Sequence, residues 1–252
     1  ADTLVFESQY LPQNDTVLVF QPLASLDYMH YPVVYLLHGY GGDYTQWNKI
    51  ANLQAYAEKY QVIIVCPDGL KDSWYFDSPR QTDMKFESFM LKELVPKINK
   101  TYTVDSTLSF VSGLSMGGHG AMYLFLRNPG VFYSAASTSG VLNLHSSGLK
   151  FTSLSHRLGD YKSSHKTFDA YSSCNMLDTL AFGDREILFD CGTRDHLYDA
   201  NVAFYERCKE KRIQAHFISS PGRHNAAYWS KSIEMHFVFF ERLAREKLVQ
   251  KK

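Results

Sequence analysis

The chain has 252 residues, with 26 Lys+Arg against 26 Asp+Glu, so its formal charge is zero. Apolar residues make up 45% and charged residues 21%, ordinary globular usage that excludes a disordered or collagen-like chain. The neutral balance argues against nucleic acid, whose phosphates call for a clustered cationic surface. The length suits one α/β domain over residues 1–252. No apolar run approaches the roughly 18 residues that cross a bilayer, so no membrane span is expected. Four cysteines are too few for a disulfide scaffold, and Cys66 and Cys191, inside apolar runs, read as small buried thiols. Ala1 in place of Met is what an exported chain, periplasmic or secreted, would carry after signal cleavage; a trimmed or cytoplasmic chain fits equally. The basic stretch 245–252 reads as a solvated helix end.

Residues 3–10 and 16–20 cluster β-formers around the turn signal at 12–15, which predicts an N-terminal antiparallel hairpin. PVVYLL at 32–37 is an uninterrupted apolar run of strand length, as expected for a strand covered on both faces. The Gly-rich segment HGYGG, 38–42, follows it. Residues 43–60 have helix length, with Trp47, Ile50, Leu53 and Ala57 on one side. A second buried strand at 62–66 ends in Pro67-Asp68-Gly69, and an aromatic loop with Trp74, Tyr75 and Phe76 leads to a helix over 85–102. A strand at 107–112, a helix at 117–127 and a small-residue strand at 132–139 come next. The Ser-rich region 141–184 has weaker periodicity and reads as a cap-like excursion above the sheet. A strand at 186–191, a helix at 198–211, a strand at 214–219 and a helix at 226–247 complete the series. This alternation predicts a mostly parallel central sheet with helices on both faces.

The strongest chemical signal is Gly113-Leu114-Ser115-Met116-Gly117, a G-x-S-x-G between a strand and a helix. Such a sharp turn pushes the serine hydroxyl out above the sheet, beside the unsatisfied N–H groups of the helix start. A serine hydroxyl needs a base to take its proton, usually a histidine held by a carboxylate, in the chain order Ser, acid, His. His224, in the loop between the last strand and last helix, is the predicted base; ligand-facing loops follow strand C-termini in such sheets. His216 in the strand, His236 in the helix and His119 on the elbow helix read as packed or exposed bystanders. Asp195, just past the strand EILFDC, is the predicted acid. Asp190 is still in the strand, Asp199 falls in the next helix, and Asp68 precedes Ser115. An oxyanion needs N–H donors, expected from Met116 and from the 38–42 turn at Tyr40.

Four blocks in order, YLLHGYGGDYTQW, SGLSMGGHGA, FDCGTRDHLYDAN and SPGRHNAAYW, resemble the putative-esterase family of α/β-hydrolases. That family takes in esterase D-type enzymes, tributyrin, feruloyl and acetylxylan esterases, and mycolyltransferases. The likeness spans residues 32–228 and implies an α/β-hydrolase fold. It also implies Ser115, Asp195 and His224 as triad, Tyr40 and Met116 as backbone oxyanion donors, and a cleft lined by 67–69 and 74–79. S-formylglutathione hydrolases generally lack the HGYGG form, which weighs against that assignment, and 141–184 matches no motif.

The expected activity is serine carboxylic-ester hydrolysis through an acyl-enzyme, on short-chain acyl or feruloyl esters, small or polysaccharide-linked. An acyltransferase with the same triad, or an S-formylglutathione thioesterase, is the alternative. Trp74, Tyr75 and Tyr198 are expected to contact substrate, with Tyr44, Trp47 and Phe76 as further aromatic candidates. No cofactor is implied, and no metal, because the histidines lack H-E-x-x-H or paired-Cys spacing.

Overall fold

The structure is a computed structural model that describes residues 1–23, 30–147, 152–180 and 185–250. Strands β1 (Asp2–Phe6) and β2 (Asp15–Phe20) form the expected antiparallel hairpin. They are followed by β3 (Tyr31–Leu37), helices α1 (Gln46–Ile50) and α2 (Leu53–Tyr60), and β4 (Ile63–Pro67). Helices α3 (Phe86–Phe89) and α4 (Val95–Thr101) are joined by a π turn at Met90–Leu94. Then come β5 (Val104–Leu114), α5 (Met116–Arg127) and β6 (Ser134–Thr138). Short helices α6 (Leu144–Ser147), α7 (Thr152–Leu158) and α8 (His165–Tyr171) precede β7 (Glu186–Gly192). Helix α9 (Tyr198–Glu210), β8 (Gln214–Ser220) and α10 (Ala226–Gln250) close the chain.

The strands make one eight-stranded sheet in the order β1-β2-β4-β3-β5-β6-β7-β8. β2 pairs antiparallel with β4, and every pairing from β4 to β8 is parallel. The apolar runs are near-continuous because both faces are covered, and the strand period of two deals them out alternately. In β3, Val33, Tyr35 and Leu37 face one core with Phe86, Phe89 and Met122, while Val34 and Leu36 face the other with Trp47, Leu53 and Phe237. Each buried ring contributes about 1.5–3 kcal/mol; Phe240 of α10, stacked on Phe110 of β5 at 4.6 Å, is one such contact.

The sequence predicts one helix over 43–60, and the structure breaks it. Ala51 is extended (φ −141°, ψ 149°), and Asn52 starts α2 afresh by accepting the Ala55 N–H at 3.1 Å. Of the region 141–184, residues 148–151 and 181–184 lie outside those described, as do the last two of the basic tail. Its described part docks on the aromatic loop: Trp74 Nε1–H donates to Ser153 Oγ at 3.2 Å, and Arg157 pairs with Asp72 at 2.7 Å. The four cysteines are free and buried. Among the described residues no helix is long and apolar enough to cross a membrane.

Strand order reverses at β3: the chain steps to β4 on one side, then crosses back to β5 on the other. A crevice therefore opens at the C-terminal ends of β3 and β5, the usual place for a ligand in such sheets. The segment 38–42 leaves β3 there, and Ser115 leaves β5.

Candidate active site

Ser115 sits between β5 and α5 with φ +55° and ψ −113°, a conformation that non-glycine residues rarely adopt. The surrounding glycines permit it. A Cβ on Gly113 would lie 2.2 Å from Gly117 O, and a Cβ on Gly117 would lie 2.2 Å from Leu37 O and 2.5 Å from His38 O. The Ser115 N–H donates to Thr138 O at 3.0 Å, which ties the elbow to β6. Met116 is the first residue of α5, so its N–H is one of those a helix leaves without an intrahelical acceptor.

The structure brings Ser115, His224 and Asp195 together. Ser115 Oγ lies 2.9 Å from His224 Nε2, and His224 Nδ1 lies 2.9 and 3.1 Å from the two oxygens of Asp195. A carboxylate can only accept, so Nδ1 carries the proton and Nε2 is left to receive the serine hydroxyl's. Burial alone would push the Asp195 carboxyl up. Hydrogen bonds from His224 and the Leu197 N–H, with the charge interaction with His224, outweigh it and hold the carboxyl below its ordinary value. The His224 ring is fixed from the side by Trp229, edge-on at 5.0 Å, whose Nε1–H donates to Ser139 Oγ at 3.1 Å.

The segment 38–42 is pinned from several directions. Gly39 N–H donates to Gln46 Oε1 at 2.8 Å, and Gly41 N–H to Lys71 O at 2.8 Å. Buried His38 accepts the Gly69 N–H on Nε2 at 2.8 Å, so its Nδ1–H donates to Gly39 O at 2.8 Å. Trp47 Nε1–H holds Leu37 O at 2.9 Å and the Tyr75 hydroxyl holds His38 O at 2.8 Å. A Cβ on Gly39 would stand 3.5 Å from Ser115 Cβ, so the turn carrying Tyr40 runs directly beside the serine.

A cavity of about 290 Å³ opens at Ser115, walled by Tyr40, Gln46, Val141, Leu197 and Trp229, with His196 at its rim. The sequence-based expectation of substrate contact at Trp74 and Tyr75 is corrected here. Both are fully buried, and both adopt left-handed backbone (φ +56° and +62°) that turns the segment inward. The Tyr75 ring fills the space left by Gly69 and Gly120, where a Cβ would come within 2.4 Å of it. Trp47 and Phe76 are likewise buried, and Tyr198, half-buried on α9, engages Ser219 Oγ at 2.8 Å outside the cavity wall. Gln46, Val141, Leu197 and Trp229 are wall residues that sequence reasoning missed; for Trp229, an aromatic one turn after the His224 loop was the available signal. Among the described residues, the grouping with metal-ligand spacing is Asp195, His196 and His224, whose donor atoms lie within 4.8 Å of one another. Two of those three already serve the hydrogen-bonded chain to Ser115.

The family model described as "Putative esterase" matches residues 8–240. The chain belongs to this family. It is 24% identical to an acetyl esterase of Caldicellulosiruptor saccharolyticus over 267 aligned residues, 95% of this chain and 97% of that one. It is 27% identical to the S-formylglutathione hydrolase of Mus musculus over 224 residues, 79% of this chain and 78% of that one. A solved ferulic acid esterase, 25% identical, matches with a TM-score of 0.78 over 96% of this chain and 97% of that one. The α/β-hydrolase fold and the carboxylesterase class expected from the sequence therefore hold. The chain is thus similar to an S-formylglutathione hydrolase as well as to esterases.

Proposed function

We propose that Ser115, His224 and Asp195 hydrolyse small carboxylic esters through an acyl-enzyme. The observation that carries this reading is the unbroken chain of hydrogen bonds from Asp195 through His224 to Ser115 Oγ. His224 Nε2 takes the hydroxyl proton as Oγ attacks the ester carbonyl, and the Asp195 carboxylate stabilises the imidazolium and fixes its orientation. The carbonyl oxygen becomes an oxyanion, which the N–H groups of Met116 and Tyr40 receive. Nε2–H then protonates the departing alkoxide, leaving an acyl group on Oγ. Water enters, gives its proton to Nε2, and attacks the acyl carbon; collapse of the second tetrahedral intermediate returns the proton to Oγ and frees the acid.

For the acyl group we favour the short-chain class, acetyl first. A cavity of about 290 Å³ is at the small end for a ligand site, and the likeness to an acetyl esterase runs along nearly the whole chain. Feruloyl esters come next, supported by the solved ferulic acid esterase. A second reading, cleavage of the thioester S-formylglutathione, is favoured by the mouse relative and needs no change in the residues named.

A panel of nitrophenyl acetate to decanoate, methyl ferulate, acetylated xylan and S-formylglutathione, run beside Ser115→Ala, tests these readings. Acetate or another short ester is expected to lead, with turnover lowered by orders of magnitude in Ser115→Ala. A far higher kcat/KM for S-formylglutathione would move the assignment to the thioesterase. A profile unchanged by Ser115→Ala would overturn the site itself.

A further inference from the structure

Directly beneath the Ser115 site lies a second chain of the same three residue types, closed to solvent. Ser112 Oγ is 2.7 Å from His236 Nδ1, and His236 Nε2 is 2.7 Å from Asp190 Oδ2. Ser112 and His236 are 0% exposed and Asp190 is 1% exposed. Thr138 Oγ1–H donates to the other Asp190 oxygen at 2.7 Å, and the Tyr228 hydroxyl interacts with the same carboxylate. No substrate can reach this serine, so the chain is not a second reaction centre. Stability alone does not account for it either. Burying an Asp–His pair carries a desolvation cost, and apolar residues of similar volume often do as well.

What distinguishes the chain is where its members sit. Ser112 is on β5, three residues before Ser115; Asp190 is on β7, five before Asp195; His236 is on α10, which begins just after His224. Each part of the triad is thus one short segment away from a member of the buried chain. The link to the base is direct. A Cβ on Gly222, two residues before His224, would lie 2.1 Å from the Tyr228 ring, so this ring, whose hydroxyl interacts with Asp190, is the seat of the His224 loop. A further link runs through Ser139, whose N–H donates to Asp190 O at 2.8 Å and whose Oγ accepts from Trp229, the ring that stands edge-on to His224.

We propose that His236, with Asp190 and Ser112, is a positioning residue for the triad: it sets α10 against the sheet so that His224 Nε2 meets Ser115 Oγ. This rests on the acyl-enzyme reading given above. Hydrogen-bonded side chains suit the task because they are directional, whereas apolar packing at the same place would let α10 slide by fractions of an ångström. An error of about 1 Å in a catalytic group can cost on the order of a hundredfold in rate.

The test compares kcat and KM for nitrophenyl acetate in the wild type, His236→Leu and His236→Gln, with Ser115→Ala as reference. His236→Leu is expected to lower kcat by about tenfold or more with KM within about twofold, because the base is misplaced and the binding wall is not. His236→Gln, which still offers an amide N–H to Asp190, is expected to recover most of that loss. Ser112→Ala and Tyr228→Phe, each removing a hydroxyl with little change of volume, should lower kcat in the same sense, and they carry the test if His236→Leu does not fold. Wild-type kcat in these hydroxyl deletions and in every folded His236 variant, with only the melting temperature lowered, would overturn the proposal. If Ser115→Ala itself keeps wild-type turnover, the acyl-enzyme reading falls instead, whatever His236 does.

Discussion

Gly117 stands so close to Leu37 that a Cβ on the glycine would be 2.2 Å from the leucine's carbonyl oxygen. The first turn of α5 is thereby pressed against the end of β3, and two distant pieces of chain share one rim: the serine elbow and the 38–42 turn. Nothing larger than a hydrogen fits between them, and the atoms that would have to give way are backbone rather than the tip of a flexible side chain.

Gly117→Ala is therefore expected to cost activity and stability together. Separating α5 from β3 moves the Met116 N–H away from Tyr40 and should lower kcat by on the order of a hundredfold. Overpacking at a backbone contact should cost about 1–3 kcal/mol. Steady-state kinetics and chemical denaturation of the variant check both; an alanine that leaves kcat and stability at wild-type values would contradict the close approach.

Asp15 gives the protein a pH dependence of known sign. Burial first, and the charge of Asp68 next, push its carboxyl from 3.8 up to about 9. The unfolded chain releases this proton near the ordinary value, so between there and about pH 9 the folded state holds one proton more. Stability accordingly falls as pH rises through that window, by on the order of 1 kcal/mol per pH unit. Asp15→Asn removes the slope. Urea denaturation from pH 5 to 9 should show the variant gaining on the wild type as pH rises, whereas parallel curves would contradict the shift.

Two tryptophans should separate binding wall from core. Trp229→Phe removes the donor to Ser139 and shrinks the ring that stands edge-on to His224. It is expected to lower kcat/KM about tenfold with little change in melting temperature. Trp74→Phe, at a fully buried position bonded to Ser153, is expected to lower stability by about 1–3 kcal/mol and leave KM unchanged. Kinetics and thermal melts of the pair check this. The reverse pattern would restore Trp74 to the substrate cleft.

Much of the molecule was legible in the sequence, for identifiable physical reasons. Strands buried on both faces announce themselves as apolar runs, and Ser115 sits in a turn whose steric needs dictate glycines at fixed offsets. His224 and Asp195 could be placed because each follows a strand end. The break at Ala51 was less visible: the apolar spacing continues through it, although Asn52 is a residue that favours a cap. Trp74 and Tyr75 misled because an aromatic after a strand can turn outward or inward, and only their positive φ decides it. His236 read as a bystander and Asp190 as a strand residue because their partnership spans 46 residues of sequence, and one residue alone carries no sign of the other.

The central claim is that one hydroxyl, at residue 115, takes the acyl group with His224 as its base. Treating the wild type, Ser115→Ala and His224→Ala with a fluorophosphonate and locating the adduct by peptide mass spectrometry tests it most directly. The account predicts a single adduct on Ser115 in the wild type, none in Ser115→Ala, and labelling slowed by orders of magnitude in His224→Ala. An adduct on another residue, or a labelling rate indifferent to His224, would contradict it.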